Sequence, residues 1–156
     1  MKIGLTYDLR SEYLAAGFSE EETAEFDRDD TIDSIERAIQ ENGHVTDRIG
    51  NLRQLVCRLA CGDRWDLVFN ICEGMYGTAR EAQVPALLEG YNIPCTFADS
   101  SMMVACLDKG LTKTLIAKAG LPTAGFFVVE SLADADDVPL PFPLFAKPIA
   151  EGTGKG

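Results

Sequence analysis

Within the first 71 residues, β-rich runs alternate with amphipathic ones, and this order limits the fold more than any other feature. "KIGLTY" (2–7), "HVTDRI" (44–49) and "WDLVFNI" (65–71) read as strands. Between the first two, after a polar segment running to about residue 29, "DDTIDSIERAIQENGH" sets Ile32, Ile35 and Ile39 on one helical face. Asp30 is the expected cap and Gly43 the stop. Between the second and third, "NLRQLVCRLACG" predicts a helix capped by Asn51. Leu52, Leu55, Val56 and Leu59 face inward, and Gly62 ends it. The third run is almost entirely apolar, as expected of a strand covered on both faces. Strand–helix–strand–helix–strand implies right-handed crossovers and a parallel sheet, hence a Rossmann-like α/β fold. Ligands in such sheets gather at the carboxyl ends of the strands.

The segment in that position after the third strand is "CEGMYGTAREAQ" (72–83), with two glycines, two carboxylates, an arginine and a tyrosine. A loop of this kind serves as a plain connection or as a binding segment; its length and polarity favour binding. The following helix, "VPALLEG", is expected to start near Gln83. A start capped by Thr78 and Glu81 would leave Pro85 beyond the first turn. Further on come a strand "IPCTFA" (93–98) and a short helix "DSSMMVACL" capped by Asp99 or Ser100. A helix over 108–122 follows, with Leu111, Leu115 and Ala119 buried and Gly120-Leu121-Pro122 ending it. "GFFVVE" (125–130) and "FPLFAKPIA" (142–150) read as further strands, joined by an acidic, proline-bearing connection.

Charge narrows the partners. Among 156 residues, 14 basic and 25 acidic side chains give a formal net charge of -11, which repels a phosphodiester backbone. Nucleic acid is therefore not an expected partner. The acidic run "SEEETAEFDRDD" (19–30) reads as a solvated stretch leading into a helix. The five cysteines (Cys57, Cys61, Cys72, Cys95 and Cys106) contain no CxxC pair, and His44 is the only histidine, so no familiar zinc-ligand spacing arises. Buried or half-buried reduced thiols are expected. His44 itself reads as a link from helix end to strand. No apolar run has transmembrane length and no leader precedes the first strand, so a soluble cytoplasmic protein without membrane contact is expected.

The closing "EGTGKG" (151–156) fits neither of the two common phosphate-loop patterns. A Walker A loop needs a glycine five positions before Gly154, where Ile149 stands, and Ser or Thr after Lys155, where Gly156 stands. A dinucleotide fingerprint belongs between the first strand and first helix. What remains is Lys147 on an expected strand, followed by a glycine-rich loop. Such a lysine can hold nucleotide phosphates while loop amides fold over them. Protein kinases use the same parts. The same spacing also describes an edge-strand lysine followed by a tail.

The stretch "LLEGYNIPCTFADSSMMVACLDKGLTKTLIAKAGLPTAGFFVV", followed by "FPLFAKPIAEGTGKG", resembles the N-terminal part of D-alanine–D-alanine ligases and their relatives in the ATP-grasp superfamily. The shared pattern is Leu-Glu at a helix end, Gly-Ile-Pro-Tyr, a Leu-Asp-Lys-x-x-Thr-Lys helix, Gly-Leu-Pro, and Phe-x-Lys-Pro before Glu-Gly-Ser/Thr. The resemblance implies a pre-ATP-grasp substrate-side domain over 1–107 and the beginning of an ATP-grasp domain over 108–156. It implies ATP and Mg²⁺ as cofactors, with Lys109 and Lys147 on the phosphates and Glu151, Gly152, Thr153 and Gly154 in the closing loop. Lys113 is expected to be a solvated helix lysine.

The chain departs from that family in two places. The Gly-Gly turn and Glu-His/Ser segment after the first strand are absent, and Cys72-Glu73-Gly74 stands where His-Gly is usual. ATP chemistry is therefore better supported than D-alanine specificity, and Glu73, Gly74, Tyr76 and Arg80 are the candidate contacts for an amino-acid or peptide substrate. The implied reaction is amide formation through an acyl phosphate. The metal ligands and the rest of the nucleotide clamp are expected outside these residues, leaving this chain inactive alone. Homodimerisation, or association through an unpaired strand, is an expected partnership. The other reading is a non-catalytic binding module on a ligase-like scaffold.

Overall fold

Strand β1 (Lys2–Tyr7) lies at the centre of a three-stranded sheet, between β2 (Val45–Gly50) and β3 (Leu67–Ile71). The computed structural model of the protein describes residues 1–152. Both pairings are parallel, with Ile3 opposite Thr46 on one side and Leu67 on the other. The register against β2 slips between Leu5 and Thr6, so that Thr6 faces Gly50. The expected parallel α/β sheet is thus present. Each crossover carries the expected helix: α2 (Asp29–Glu41) leads into β2 and α3 (Leu52–Ala60) leads into β3.

The chain divides into two compact units, Met1–Val104 and Ala105–Gly156. In the first, one core cluster joins Ile49, Leu55, Leu59, Trp65, Val68, Cys72, Val84, Leu88 and Ile93. Gly4 makes this packing possible. A Cβ there would come within 2.4 Å of Ile49 Cδ1 and 3.0 Å of the Trp65 ring. Asp47 anchors the rim, accepting from Trp65 Nε1 at 2.9 Å and from Arg58 Nη2 at 2.7 Å. Asn51 caps α3 as expected: its side chain accepts from the Arg53 and Gln54 amides, and Gln54 returns a bond to the Asn51 amide. Asp30 is not the cap of α2. Arg28 holds that position and Asp29 and Asp30 lie in the first turn, where the helix dipole favours acids. Ile32 is buried, but Ile35 and Ile39 are half-buried, and Val56 on α3 is exposed.

The residues between β1 and α2 are more structured than a solvated connection. A short helix, α1 (Arg10–Ala15), follows β1, and Thr23 and Phe26 are buried. Tyr13 packs its ring on Phe26 with centroids 4.5 Å apart. β3 is not uniformly covered. Val68 and Asn70 are buried while Leu67, Phe69 and Ile71 are half-buried. Asn70 on the buried face accepts from Thr6 Oγ1 at 2.9 Å, so its polar side chain is satisfied.

After β3 come a 3₁₀ turn (Arg80–Ala82) and α4 (Gln83–Gly90), which starts where expected. Residues 93–98 do not form a full strand. They contribute one parallel bridge, Cys95 to Val68, because Phe97 takes a positive φ of 71° and the ladder stops there. Helix α5 (Ser100–Leu107) is capped by Asp99, whose side chain accepts from the Met102 amide at 2.9 Å.

In the second unit, α6 (Lys109–Lys118) carries Asp108 as its cap, accepting from the Leu111 amide at 2.8 Å. Here several expectations fail. Leu111, Leu115 and Ala119 are exposed, and Gly110 is the residue α6 buries. Residues 125–130 and 142–150 join no sheet among the described residues. Their apolar, β-branched sequences suit a ladder, but a strand exists only when another strand receives its hydrogen bonds. All five cysteines are free, yet Cys57, Cys61 and Cys106 are exposed rather than buried. No described helix is long and apolar enough to cross a membrane.

Candidate functional site

The first candidate site lies where β1 and β3 end. Asp8 follows β1 directly and is 2% exposed. Its carboxylate accepts from Tyr13 Oη at 2.6 Å and from the Gly74 amide at 2.9 Å. Burial and the bond to Asp8 raise the Tyr13 phenol well above its ordinary range, so it remains a donor. Burial also pushes the Cys72 thiol up, which leaves it without nucleophilic thiolate character.

The loop from Glu73 to Arg80 closes on itself. Gly74 has φ +70°, and a Cβ there would lie 2.6 Å from the Arg80 carbonyl oxygen, so both the conformation and the space require glycine. The Arg80 guanidinium donates through Nη1 to the Glu73 carbonyl at 2.9 Å and through Nη2 to Glu25 Oε2 at 2.7 Å. The Glu73 and Glu81 carboxylates each stand 3.6 Å from the same guanidinium. Tyr76 projects outward and is exposed, while its carbonyl accepts from Gln83 Nε2 at 2.7 Å.

Burial raises the Glu73 carboxyl to about 7, with Glu81 and Glu25 adding to the rise and Arg80 opposing it. A carboxyl at that value exchanges a proton near neutrality, as a general acid or base must. The four residues singled out in the sequence are therefore near one another, but in different surroundings. Glu73 and Tyr76 reach solvent, Gly74 shapes the backbone, and Arg80 is buried. Asp8, Tyr13, Glu25 and Glu81 complete the cluster and were not singled out. A carboxylate directly after "KIGLTY" was the one signal that could have marked Asp8.

The second candidate site lies in the second unit. Lys109 is the first residue of α6. Its amide donates to the Ile149 carbonyl at 3.0 Å, and its Nζ donates to the carbonyls of Ile149 at 3.3 Å and Glu151 at 2.5 Å. Lys109 is thus bound to the segment that leads into the glycine-rich motif. Gly110 lets this approach occur, since a Cβ would meet Val128 at 3.0 Å and Ile149 at 3.4 Å. Lys113 is not free in solvent either, donating to Thr123 Oγ1 at 3.0 Å and the Ala124 carbonyl at 2.9 Å. Lys147 is exposed and lies in no ladder. Glu151 and Gly152 are half-buried, and Thr153 and Gly154 lie outside the described residues.

No family profile matches the sequence. Individual proteins do. A D-alanine–D-alanine ligase of Gluconobacter oxydans is 41% identical over 93 residues, covering 58% of this chain and 29% of that protein. One from Erythrobacter litoralis is 30% identical over 124 residues, covering 80% of this chain and 38% of that protein. In fold, the chain matches a crystal structure of D-alanine–D-alanine ligase from Bacillus anthracis with a TM-score of 0.65 at 20% identity, covering all of this chain and 48% of that one. A structure of the Bacillus anthracis ligase complexed with ATP matches with a TM-score of 0.52 at 17% identity, covering 90% and 45% of the two chains. The chain thus spans well under half the length of the curated relatives it resembles.

Proposed function

We propose that this chain, similar in sequence and fold to the D-alanine–D-alanine ligases, forms the N-terminal portion of an ATP-dependent carboxylate–amine ligase. The observation that carries the reading is the likeness itself: 30% identity over 80% of the chain, and one fold over all of it. The docking of Lys109 onto residues 149–151 supports it, because it puts an ammonium beside the loop that the reading assigns to phosphate.

In the proposed reaction, ATP converts a carboxylate to an acyl phosphate, and an amine displaces phosphate to leave an amide. The part given to this chain is binding and charge neutralisation. Lys109 and Lys147 supply cationic donors for phosphate oxygens, and Glu151, Gly152, Thr153 and Gly154 form the covering loop. A phosphate oxygen, being anionic, offers the Lys109 ammonium a stronger partner than the neutral carbonyls it now holds. Glu73, Gly74 and Tyr76, with Arg80 beside them, form the side that faces the amino-acid or peptide substrate. Among the described residues no set of three or more His, Cys, Asp or Glu side chains is placed to hold a metal ion. The reading assigns the Mg²⁺ ligands to polypeptide other than these residues.

The test uses a ligase-length polypeptide that carries this chain. Lys147→Met should weaken ATP binding roughly tenfold to a hundredfold by calorimetry, the loss of one charge-assisted contact of about 1.5–3 kcal/mol. Unchanged binding refutes the phosphate role. The 156-residue chain alone should release no phosphate from ATP in response to any amino-acid pair. A ligand present at its dissociation constant adds only about 0.4 kcal/mol of stability, so millimolar Mg-ATP should barely move the melting temperature. Amino-acid-dependent phosphate release by the isolated chain would overturn the view that it needs further polypeptide.

A further inference from the structure

The sequence pattern makes Arg80 a substrate contact, but its surroundings give it another task. We infer that Arg80 is a positioning residue: braced by Glu25, it fixes the Glu73–Arg80 loop and holds the Glu73 carboxyl at the solvent-facing side, without meeting substrate itself. The inference rests on the reading of this loop as the substrate side of a ligase.

Access argues first. The Arg80 side chain is 10% exposed and the Glu25 side chain 5%, whereas Glu73 is 34% exposed. A pair this buried is shielded from solvent at both ends, and breaking it would leave a charge without compensation. Geometry argues next. The two arms of the guanidinium are committed to different elements, Nη1 to the Glu73 backbone and Nη2 to Glu25, which lies 55 residues earlier. The Arg80 backbone closes against Gly74, and the Gly74 amide is tied to Asp8 from the end of β1. Glu73 is therefore held on both sides, by Asp8 through Gly74 and by Glu25 through Arg80.

Among the described residues, the charged groups facing the Glu73 carboxyl are Arg80 and Glu81 from its own loop and Glu25 from the segment before α2. Arg80 favours the ionised form of Glu73, while Glu81 and Glu25 favour the protonated form. Their removal should therefore move Glu73 in opposite directions.

The experiment follows the Glu73 carboxyl by carbon NMR titration, and amide exchange across residues 73–80, in the 156-residue chain. Arg80→Met should move the Glu73 midpoint up and Glu25→Gln should move it down. Both should speed exchange at Gly74 and its neighbours about tenfold, the loss of one net hydrogen bond, while the β1 amides keep their protection. Arg80→Lys, which keeps the charge, should leave the midpoint nearer the parent value than Arg80→Met does. If Arg80→Met does not fold, Glu25→Gln and Arg80→Lys decide the matter. Loop amides that exchange as in the parent, or a Glu73 midpoint unmoved by these changes, would overturn the inference. No nucleotide or amino acid is present in the test, so its outcome is separable from that of the ligase reading.

Discussion

At the scale of single residues, the contrast between Glu73 and Asp47 governs how the protein should respond to pH. The Glu73 carboxyl is raised to about 7, chiefly by burial, from an ordinary value of 4.5. Its protonated form is thus favoured by folding. The stability it contributes is complete below about pH 4.5 and is lost as pH rises through about 7. Burial acts on Asp47 in the same direction, but bonds from Arg58, Trp65 and Lys2 outweigh it and hold this carboxylate below its ordinary value. Its contribution is present above about pH 4 and lost as pH falls through its lowered value. Glu73→Gln should therefore raise stability at pH 8 relative to the parent and flatten the urea midpoint between pH 5 and pH 8. A parent-like slope in the variant would contradict the assignment. Asp47→Asn should instead flatten the acid limb. Neither behaviour was legible in the sequence, because Glu73 and Asp47 look alike as letters. Only the fold brings Glu25 and Glu81 to the first, and Arg58, Lys2 and Trp65 to the second.

At the scale of elements, the helices were easier to read than the strands. Local signals end a helix, and Asn51 with Gln54, Asp99 and Asp108 act as those signals do in general. Asn51→Ala should cost about 1 kcal/mol in urea unfolding, within the usual range of about 0.5–2 for a lost cap. Leu88→Ala, at a fully buried position of α4, should cost more, about 2–5 kcal/mol. A reversed order of these two losses would mean that α3 and α4 are not secured as described. Strands depend on partners that can be distant in sequence. The three parallel strands were legible because helices separate them at regular intervals. Residues 93–98, 125–130 and 142–150 carry the same kind of composition without a complete ladder. The short helix α1 was missed because six residues are too few to show a periodic face.

On the scale of the whole molecule, the two units differ in how they treat their apolar residues. Among the described residues, Met1–Val104 contains all but one of the buried hydrophobic side chains, the exception being Leu107. In Ala105–Gly156, Leu132 is 93% exposed, Phe142 87% and Phe145 86%. A chain of residues 1–104 should fold by itself and keep the near-ultraviolet signal of Trp65. The full chain should bind more of a hydrophobic dye than this shorter one. Equal dye binding would mean that the apolar side chains of the second unit are covered in solution. The sequence suggested helical burial in this unit from the spacing of Leu111 and Leu115, but spacing says only that two residues share a side of a helix. Whether anything lies against that side is a property of the surrounding chain.

The strand order β2-β1-β3 also bears on biosynthesis. Of the three strands, the one made first occupies the middle of the sheet, so it has no partner strand until Val45–Gly50 has been synthesised and no second one until Leu67–Ile71 follows. The core cluster needs residues as late as Ile93. At about 5–20 residues per second of synthesis, the apolar opening strand waits roughly 5–20 s before its surroundings exist. For that interval on the ribosome it is a hydrophobic segment open to chaperones.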